Sequence, residues 1–271
     1  MRATEIKSCY IGPAISPEQF IAEHFFLYLA KGTINGYDGN KYYSLTSGEY
    51  CLVRKNRLGR YNKLKENNEF EKILLIFDES FLKKFQKKFN IKSANFNSPD
   101  TFIRLPAGRL IPAFIKSLMP YYNGDGKPDA SLADRKREEL LLILLKIQPE
   151  LSSVLFDFGI PDKINLEEFM NRNFRFNVKM ERLAYITGRS LSSFKRDFKT
   201  IFNETPNRWL VKKRLQEAWF LLDKKNQKSS DIYLDLGFED LSHFSYAFKQ
   251  RFGLTPTELS LRKSKSDLIS Y

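Results

Sequence analysis

The sequence predicts an α+β protein of two domains. An N-terminal antiparallel β barrel or sandwich is followed by helices, and then by an all-α domain with two helix-turn-helix units joined by a long helix. Three observations predict this. Strand-like runs separated by turn residues occupy the N-terminal part of the chain. Beyond Asp78 the apolar residues recur with helical spacing. A stretch that begins at Leu191 recurs at Leu241, which marks a duplicated supersecondary unit.

The N-terminal elements follow in order. Phe25-Phe26-Leu27-Tyr28-Leu29 is a strand run that ends near Gly32. Asp38-Gly39, between Tyr37 and Tyr42-Tyr43, signals a hairpin with a type I′ turn, whose two central residues need positive φ. Ser47-Gly48 marks the next turn, and Tyr50–Val53 and Ile73–Phe77 are further strands. Phe81, Leu82, Phe85 and Phe89 then fall on one helix face. A second helix includes Leu110–Tyr122 despite Pro112, and Gly124–Pro128 is a loop by composition. A third helix runs from about Ser131 to Ile147 and stops before Pro149. Its apolar run Leu140–Leu145 serves either a domain core or a dimer interface. Gly159-Ile160-Pro161-Asp162 reads as a boundary. The domains are then 1–158, β-rich to about 78 and helical over 79–148, and 159–271, with helix-turn-helix units at about 178–203 and 229–253.

Bulk properties narrow the partners. The formal net charge is +13, which favours polyanions, nucleic acid first and an anionic surface second. The excess is spread almost evenly over the two halves, so charge does not locate a binding domain and pattern has to. Cys9 and Cys51 are the only cysteines and form no CxxC pair, which argues against a disulfide framework and a zinc site. With no basic-then-apolar leader and no long apolar run, the expectation is a cytoplasmic protein without a membrane partner.

The repeat carries the functional reading. Placing residues 191–206 on residues 241–256 gives eight identities in sixteen positions: the pairs Leu191/Leu241, Ser192/Ser242, Phe194/Phe244, Phe198/Phe248, Lys199/Lys249, Phe202/Phe252, Thr205/Thr255 and Pro206/Pro256. In the first copy Phe194, Phe198 and Phe202 lie four apart, with Leu191 and Ile201 expected beside them on the buried stripe. Ser192, Lys195, Arg196 and Lys199 share a different stripe that faces solvent. Upstream, Asn177 is expected to cap a short helix holding Val178, Leu183 and Ala184, which ends at Thr187-Gly188. A short helix, a glycine turn and a helix with a polar, basic outer face make a helix-turn-helix, whose second helix enters the major groove. In the second copy Ile232, Leu234 and Leu236 belong to the first helix, Gly237 to the turn, and Ser242, Ser245, Tyr246 and Lys249 to the outward face. Between the copies, Thr205-Pro206 starts a helix whose buried stripe is Leu215, Ala218, Trp219 and Leu222. Its length suits a rigid spacer between two reading heads at successive major-groove faces.

These residues resemble the DNA-binding domain of the AraC/XylS family of bacterial transcription regulators. The matching text is Leu183-Ala184, Gly188-x-Ser190, Phe194-x-Arg196-x-Phe198-Lys199, Arg214-Leu215-x-x-Ala218 and Leu221-Leu222. It continues as Gly237-Phe238-x-Asp240-x-Ser242-x-Phe244-x-x-x-Phe248-Lys249-x-x-Phe252-Gly253-x-Thr255-Pro256. Ahead of it, Gly32, Asp38-Gly39, Tyr43 and Gly48-Glu49 resemble the rhythm of the cupin-like sensor and dimerisation domain that often precedes this module. The resemblance implies promoter binding and activation through RNA polymerase, with a small-molecule or protein effector, or a homodimer, at the N-terminal domain. Three positions depart from the family pattern. Tyr246 stands where an outward Arg is frequent, Tyr233 where a small residue is usual, and Ser260 where an Arg often follows the final Pro, with Arg262 two residues on.

The expected DNA-contacting set is Arg189, Ser190, Ser192, Ser193, Lys195, Arg196 and Lys199 in the first unit, and Leu241, Ser242, His243, Ser245, Tyr246 and Lys249 in the second. Arg196 is the residue expected to read a base, with a phosphate contact as its alternative. Lys199 and Lys249 are expected on phosphate. His243 faces either the groove or plain solvent, and His24 is structural. Tyr28, Tyr42, Tyr43 and Tyr50 either line an effector pocket or simply populate strands. No cofactor, metal or catalytic constellation is expected: GxSxG, P-loop and HExxH are absent, and Glu138-Glu139 and Glu167-Glu168 split across helix faces. Two other readings stay open. One is an enzyme or repair factor that only docks on DNA through this module, the other a nonspecific binder. Two reading faces of different composition argue against the latter.

Overall fold

The computed structural model describes residues 19–92, 100–118, 120 and 130–261. Two compact units emerge, one from Phe20 to Gly159 and one from Ile160 onward that also takes in Gln19.

The first unit opens with β1 (Phe20–Ile21), β2 (His24–Lys31), β3 (Thr33–Tyr37), β4 (Tyr42–Thr46) and β5 (Tyr50–Val53). β6 (Arg57–Leu58), β7 (Arg60–Leu64), β8 (Glu71–Phe77) and β9 (Phe102–Arg104) are the further strands among the described residues, all paired antiparallel. One sheet runs β8-β2-β5-β9, a second β4-β3-β7, and β1 pairs with β6. Side chains alternate across a strand, so the register decides which core each residue joins. Phe26 lies opposite both Leu75 and Leu52, and Leu52 opposite Ile103. This row faces the helices α1 (Glu79–Phe89), α2 (Leu110–Leu118), α3 (Ala130–Ile147) and α4 (Leu151–Leu155). The other face of the same sheet, with Leu27, Leu29, Cys51 and Val53, packs on Ile34 and Leu45 of the second sheet. Both faces of β2 are therefore buried, which explains its near-continuous apolar run. Full burial of each such side chain contributes about 1.5–3 kcal/mol.

Several expectations change here. The hairpin at Asp38 exists, but its loop spans residues 38–41 and only Gly39 has positive φ. The Asp38 carboxylate accepts from the Asn40 and Lys41 amides, at 2.9 and 2.8 Å, and builds a side-chain turn in place of the type I′ backbone turn. Asp78 caps α1 by accepting from the Phe81 amide at 3.0 Å. Pro112 is tolerated because it sits in the first turn of α2, where its missing N–H would be unpaired anyway. That helix is described to Leu118; Tyr121, Tyr122 and Gly124–Pro128 lie outside the described residues. Leu140, Leu141 and Leu144 are fully buried in the core under the sheet, so the α3 run serves the domain core. The four tyrosines do not gather. Tyr28 and Tyr50 lean on the helix-side core, Tyr43 packs on Phe102, and Tyr42 is exposed. Arg137 of α3 donates to Asp78 at 2.6 Å and lies over the Phe81 ring, pinning α3 to the start of α1.

His24 is buried and accepts at Nδ1 from the Lys55 amide at 3.2 Å. Burial, and then the charges of Lys55 and Arg54, push its pKa down to about 3. The native imidazole is therefore neutral, while the unfolded one takes up a proton below about pH 6.5. Stability carried by His24 is present above that pH and is lost as pH falls toward 3, by up to about 1.4 kcal/mol per pH unit. Urea unfolding of the full chain, followed by tyrosine near-ultraviolet dichroism from pH 7 to 5, should show this loss, and His24→Gln should flatten it.

Among its described residues the second unit is built of helices joined by turns. Its helices are α5 (Leu166–Asn173), α6 (Met180–Ile186), α7 (Leu191–Phe202), α8 (Pro206–Lys224), α9 (Ser229–Ile232) and α10 (Leu241–Phe252). α8 is the axle. Near its start Trp209 packs on Phe198 and Phe202 of α7. Ten residues later Trp219 stacks on Phe248 and packs on Phe252 of α10. Between them Arg214, 9 % exposed, donates to the carbonyls of Phe174, Phe176 and Gly237 at 2.8, 2.8 and 2.9 Å. Burial lowers its pKa to about 10, and it still carries its charge near neutrality.

Candidate nucleic-acid interface

The two helix-turn-helix units are built by the same local rules. In the first, Gly188 has φ +67°; its amide donates to the Tyr185 carbonyl and the next amide, of Arg189, donates to the Ala184 carbonyl. In the second, Gly237 has φ +83°, its amide donates to Leu234, and that of Phe238 donates to Tyr233. This pair of bonds closes a helix end and requires a left-handed residue, which only glycine adopts without strain. Ser190 then caps α7 by accepting from the Ser193 amide at 3.2 Å, and Asp240 caps α10 by accepting from the His243 amide at 2.6 Å. Each helix ends on a left-handed residue, Asn203 or Gly253. The duplication therefore extends from the turn through both caps.

Each reading helix has twelve residues and buries its phenylalanines: Phe194 and Phe198 in α7, Phe244 and Phe248 in α10. Ser192, Lys195, Arg196 and Lys199 are all exposed on the other side of α7, as their spacing requires. Ser193, half-buried at the flank, accepts from Arg196 Nη2 at 3.5 Å. On α10 Leu241, Ser242, His243, Tyr246 and Lys249 are exposed and Ser245 is half-buried. The His243 ring stands edge-on to the buried Phe238 at 5.8 Å.

Four details differ from the sequence reading. Arg189 does not face outward: its side chain is 7 % exposed, and it donates to Asp197 at 3.1 Å and to the carbonyls of Ile164 and Thr187 at 3.0 and 2.6 Å. Three inward acceptors outcompete solvent, so Arg189 braces the turn instead of presenting a donor. Ile201 is 43 % exposed, because the phenylalanine stripe on α7 already fills the contact with α8. Asn177 is not the cap of α6, which begins at Met180 after Lys179. Its side-chain amide donates to Glu239 at 3.1 Å, and its backbone amide to Gln19 at 3.1 Å. Leu234 and Leu236 lie past α9, in the turn that Gly237 closes.

Sequence reasoning missed Asp197 and Arg214 as determinants of the interface. Asp197 follows Arg196 on α7, where the second copy has Ala247, and that break in the repeat was its one signal. Its carboxyl is held below the usual range, first by the hydrogen bond from Arg189.

Comparison with known proteins agrees with this geometry. Residues 24–154 match the ExsA N-terminal regulatory domain, and residues 183–262 match a helix-turn-helix domain. The thermoregulatory protein LcrF of Yersinia pestis is 25% identical over 241 residues, which cover 87% of this chain and 88% of LcrF. The transcriptional regulator ExsA of Pseudomonas aeruginosa is 25% identical over 260 residues, covering 93% and 91%. The chain carries an AraC-type helix-turn-helix domain behind an ExsA-type regulatory domain. Among solved structures, apo ToxT from Vibrio cholerae covers 90% of each chain with a TM-score of 0.44 and 13% identity. This AraC-type regulator binds DNA through its C-terminal unit and carries a regulatory domain in front of it. Among the described residues no helix is long and apolar enough to cross a membrane.

Proposed function

We propose that this AraC-type regulator activates transcription from promoters that it reads with α7 and α10 in adjacent major-groove segments. The observation that carries the reading is the duplicated frame, two capped twelve-residue helices packed near the two ends of α8, each with its aromatic stripe buried and its polar stripe exposed. The nineteen residues of α8 span about 28 Å, comparable with the roughly 34 Å between successive major-groove faces.

The two helices divide the work. On α7, Arg196 reads a guanine edge, Ser192 and Lys195 contact neighbouring bases, Ser193 flanks them and Lys199 takes phosphate. The hydroxyl of Ser190 is engaged as the cap, so its contribution is to aim α7. On α10 the outward residues are Ser242, Ser245, Tyr246 and Lys249, of which Lys249 alone is charged; this helix clamps and orients, with Leu241 and His243 at its leading end. Relatives such as VirF of Yersinia enterocolitica, 26% identical over 241 residues, are named transcriptional activators, which supports activation; RNA polymerase is the partner proposed for it. The N-terminal unit serves as the regulatory domain, receiving a small-molecule or protein effector and a second copy of the chain. A regulator of this kind works in the cytoplasm, on promoter DNA.

Genome-wide mapping of bound sites supplies the duplex for the test. Arg196→Ala is expected to cost about 1–3 kcal/mol on such a site and much less on random duplex. Equal losses on both, in gel shifts at fixed salt, would reduce Arg196 to a phosphate contact.

A further inference from the structure

Asp197 sits between the scaffold and the reading face. One carboxylate oxygen, Oδ2, accepts from Arg189 Nε at 3.1 Å and lies 3.4 Å from Lys163 Nζ. The other, Oδ1, lies 3.5 Å from Arg196 Nη2, which also donates to Ser193 Oγ. Arg189 is itself anchored on two backbone carbonyls, so the carboxylate is held from behind and presents its second oxygen to Arg196. The Arg196 side chain is 77 % exposed, that of Asp197 20 %. An exposed ion pair of this kind adds little stability. Its effect is on orientation: a planar guanidinium restrained at Nη2 alone, by Ser193 and Asp197, leaves its other N–H groups to face outward.

There is also a charge effect. Random duplex attracts the reading face through phosphate alone, and each extra cation strengthens that attraction. A fixed carboxylate among Lys163, Lys195, Arg196 and Lys199 offsets one of those cations. The second unit has Ala247 at this position beside Tyr246, and there it has no arginine to aim. We infer that Asp197 is a positioning residue that aims Arg196 at a base edge and restrains the first reading helix from binding phosphate indiscriminately. The inference rests on Arg196 being the base-reading residue.

The experiment compares full-length wild type, Asp197→Asn, Arg196→Ala and the double variant on a mapped site and on random duplex, over a range of salt. Asparagine keeps an acceptor for Arg189 and removes the charge. Asp197→Asn is expected to raise affinity for random duplex about three- to tenfold, to steepen its salt dependence by about one phosphate contact, and to lower the cognate-to-random ratio about tenfold. In the Arg196→Ala background it should no longer change that ratio. Asp197→Glu, which keeps the charge, should hold random-duplex affinity at the wild-type level, and it provides the comparison should Asp197→Asn fold poorly. A ratio unchanged in Asp197→Asn, or lowered equally in both backgrounds, overturns the inference and leaves Asp197 a brace for Arg189. Failure of the base-reading assignment shows separately, as equal losses from Arg196→Ala on both duplexes.

Discussion

Arg214→Met is expected to destabilise the DNA-binding unit by about 3 kcal/mol or more, because three carbonyls, two of them in buried hydrogen bonds, lose their donor at once. Methionine fills much of the same volume, so the loss isolates the hydrogen bonds from the packing. Arg214→Lys should recover only part of it, since one ammonium cannot span the carbonyls of Phe174, Phe176 and Gly237 as a planar fork does. The measurement is clean in the full chain. Both tryptophans, Trp209 and Trp219, lie on α8, so urea unfolding followed by tryptophan fluorescence reports on this unit alone. A loss below about 1 kcal/mol would mean that water replaces the guanidinium at those carbonyls. The functional consequence follows from the geometry. Gly237 closes the turn that precedes α10, and Phe174 and Phe176 lie in the segment that leads into α6. Loosening Arg214 should weaken binding to the two-segment site while leaving the charge on each reading face, and hence the salt dependence, nearly unchanged.

Gly188→Ala is expected to cost about 2–5 kcal/mol, from a left-handed backbone that disfavours a Cβ and from a close approach that excludes one. A Cβ there would stand 2.5 Å from the carbonyl group of Asp162, a backbone neighbour that cannot rotate away. Gly253→Ala is the internal control. Its φ of +78° carries the same conformational cost, but a Cβ there meets nothing within 4 Å. The control should lose only about 1–2 kcal/mol. The difference between the two, read by tryptophan fluorescence, measures the contact of the first turn with the segment before α5. Equal losses would show that only the backbone conformation matters.

How much was legible beforehand depended on the distance over which each interaction acts. The phenylalanine stripe of α7, the basic stripe opposite it, and the glycine of each turn are set by spacings of three to seven residues, and a single sequence displays them. The repeat of the Leu191–Pro206 segment added a check that needed no structure, since two copies with one buried pattern must fold alike. Boundaries fared less well where a side chain had competing uses. Asn177 has the right chemistry for a cap, but its amide is engaged with Glu239, sixty-two residues away. Asp38-Gly39 marked a hairpin, and the Asp38 side chain then chose a longer loop.

The sequence alone determined that this protein carries two helix-turn-helix units on a long helix, which face of each is apolar, and that the first unit is the more basic. These properties are periodic and local. Only the tertiary structure decided which polar groups face DNA and which hold the frame. Arg189 and Arg196 lie seven residues apart in similar sequence surroundings, yet one is buried against Asp197, Thr187 and Ile164 and the other, which touches Asp197 at one nitrogen, stands largely in solvent. Arg214 acts on carbonyls 23 to 40 residues away, and the Leu140 run found its place under a sheet assembled from the chain's first hundred residues and β9. A charged side chain is placed by whichever acceptors the folded chain brings within hydrogen-bond reach, and that information is not periodic.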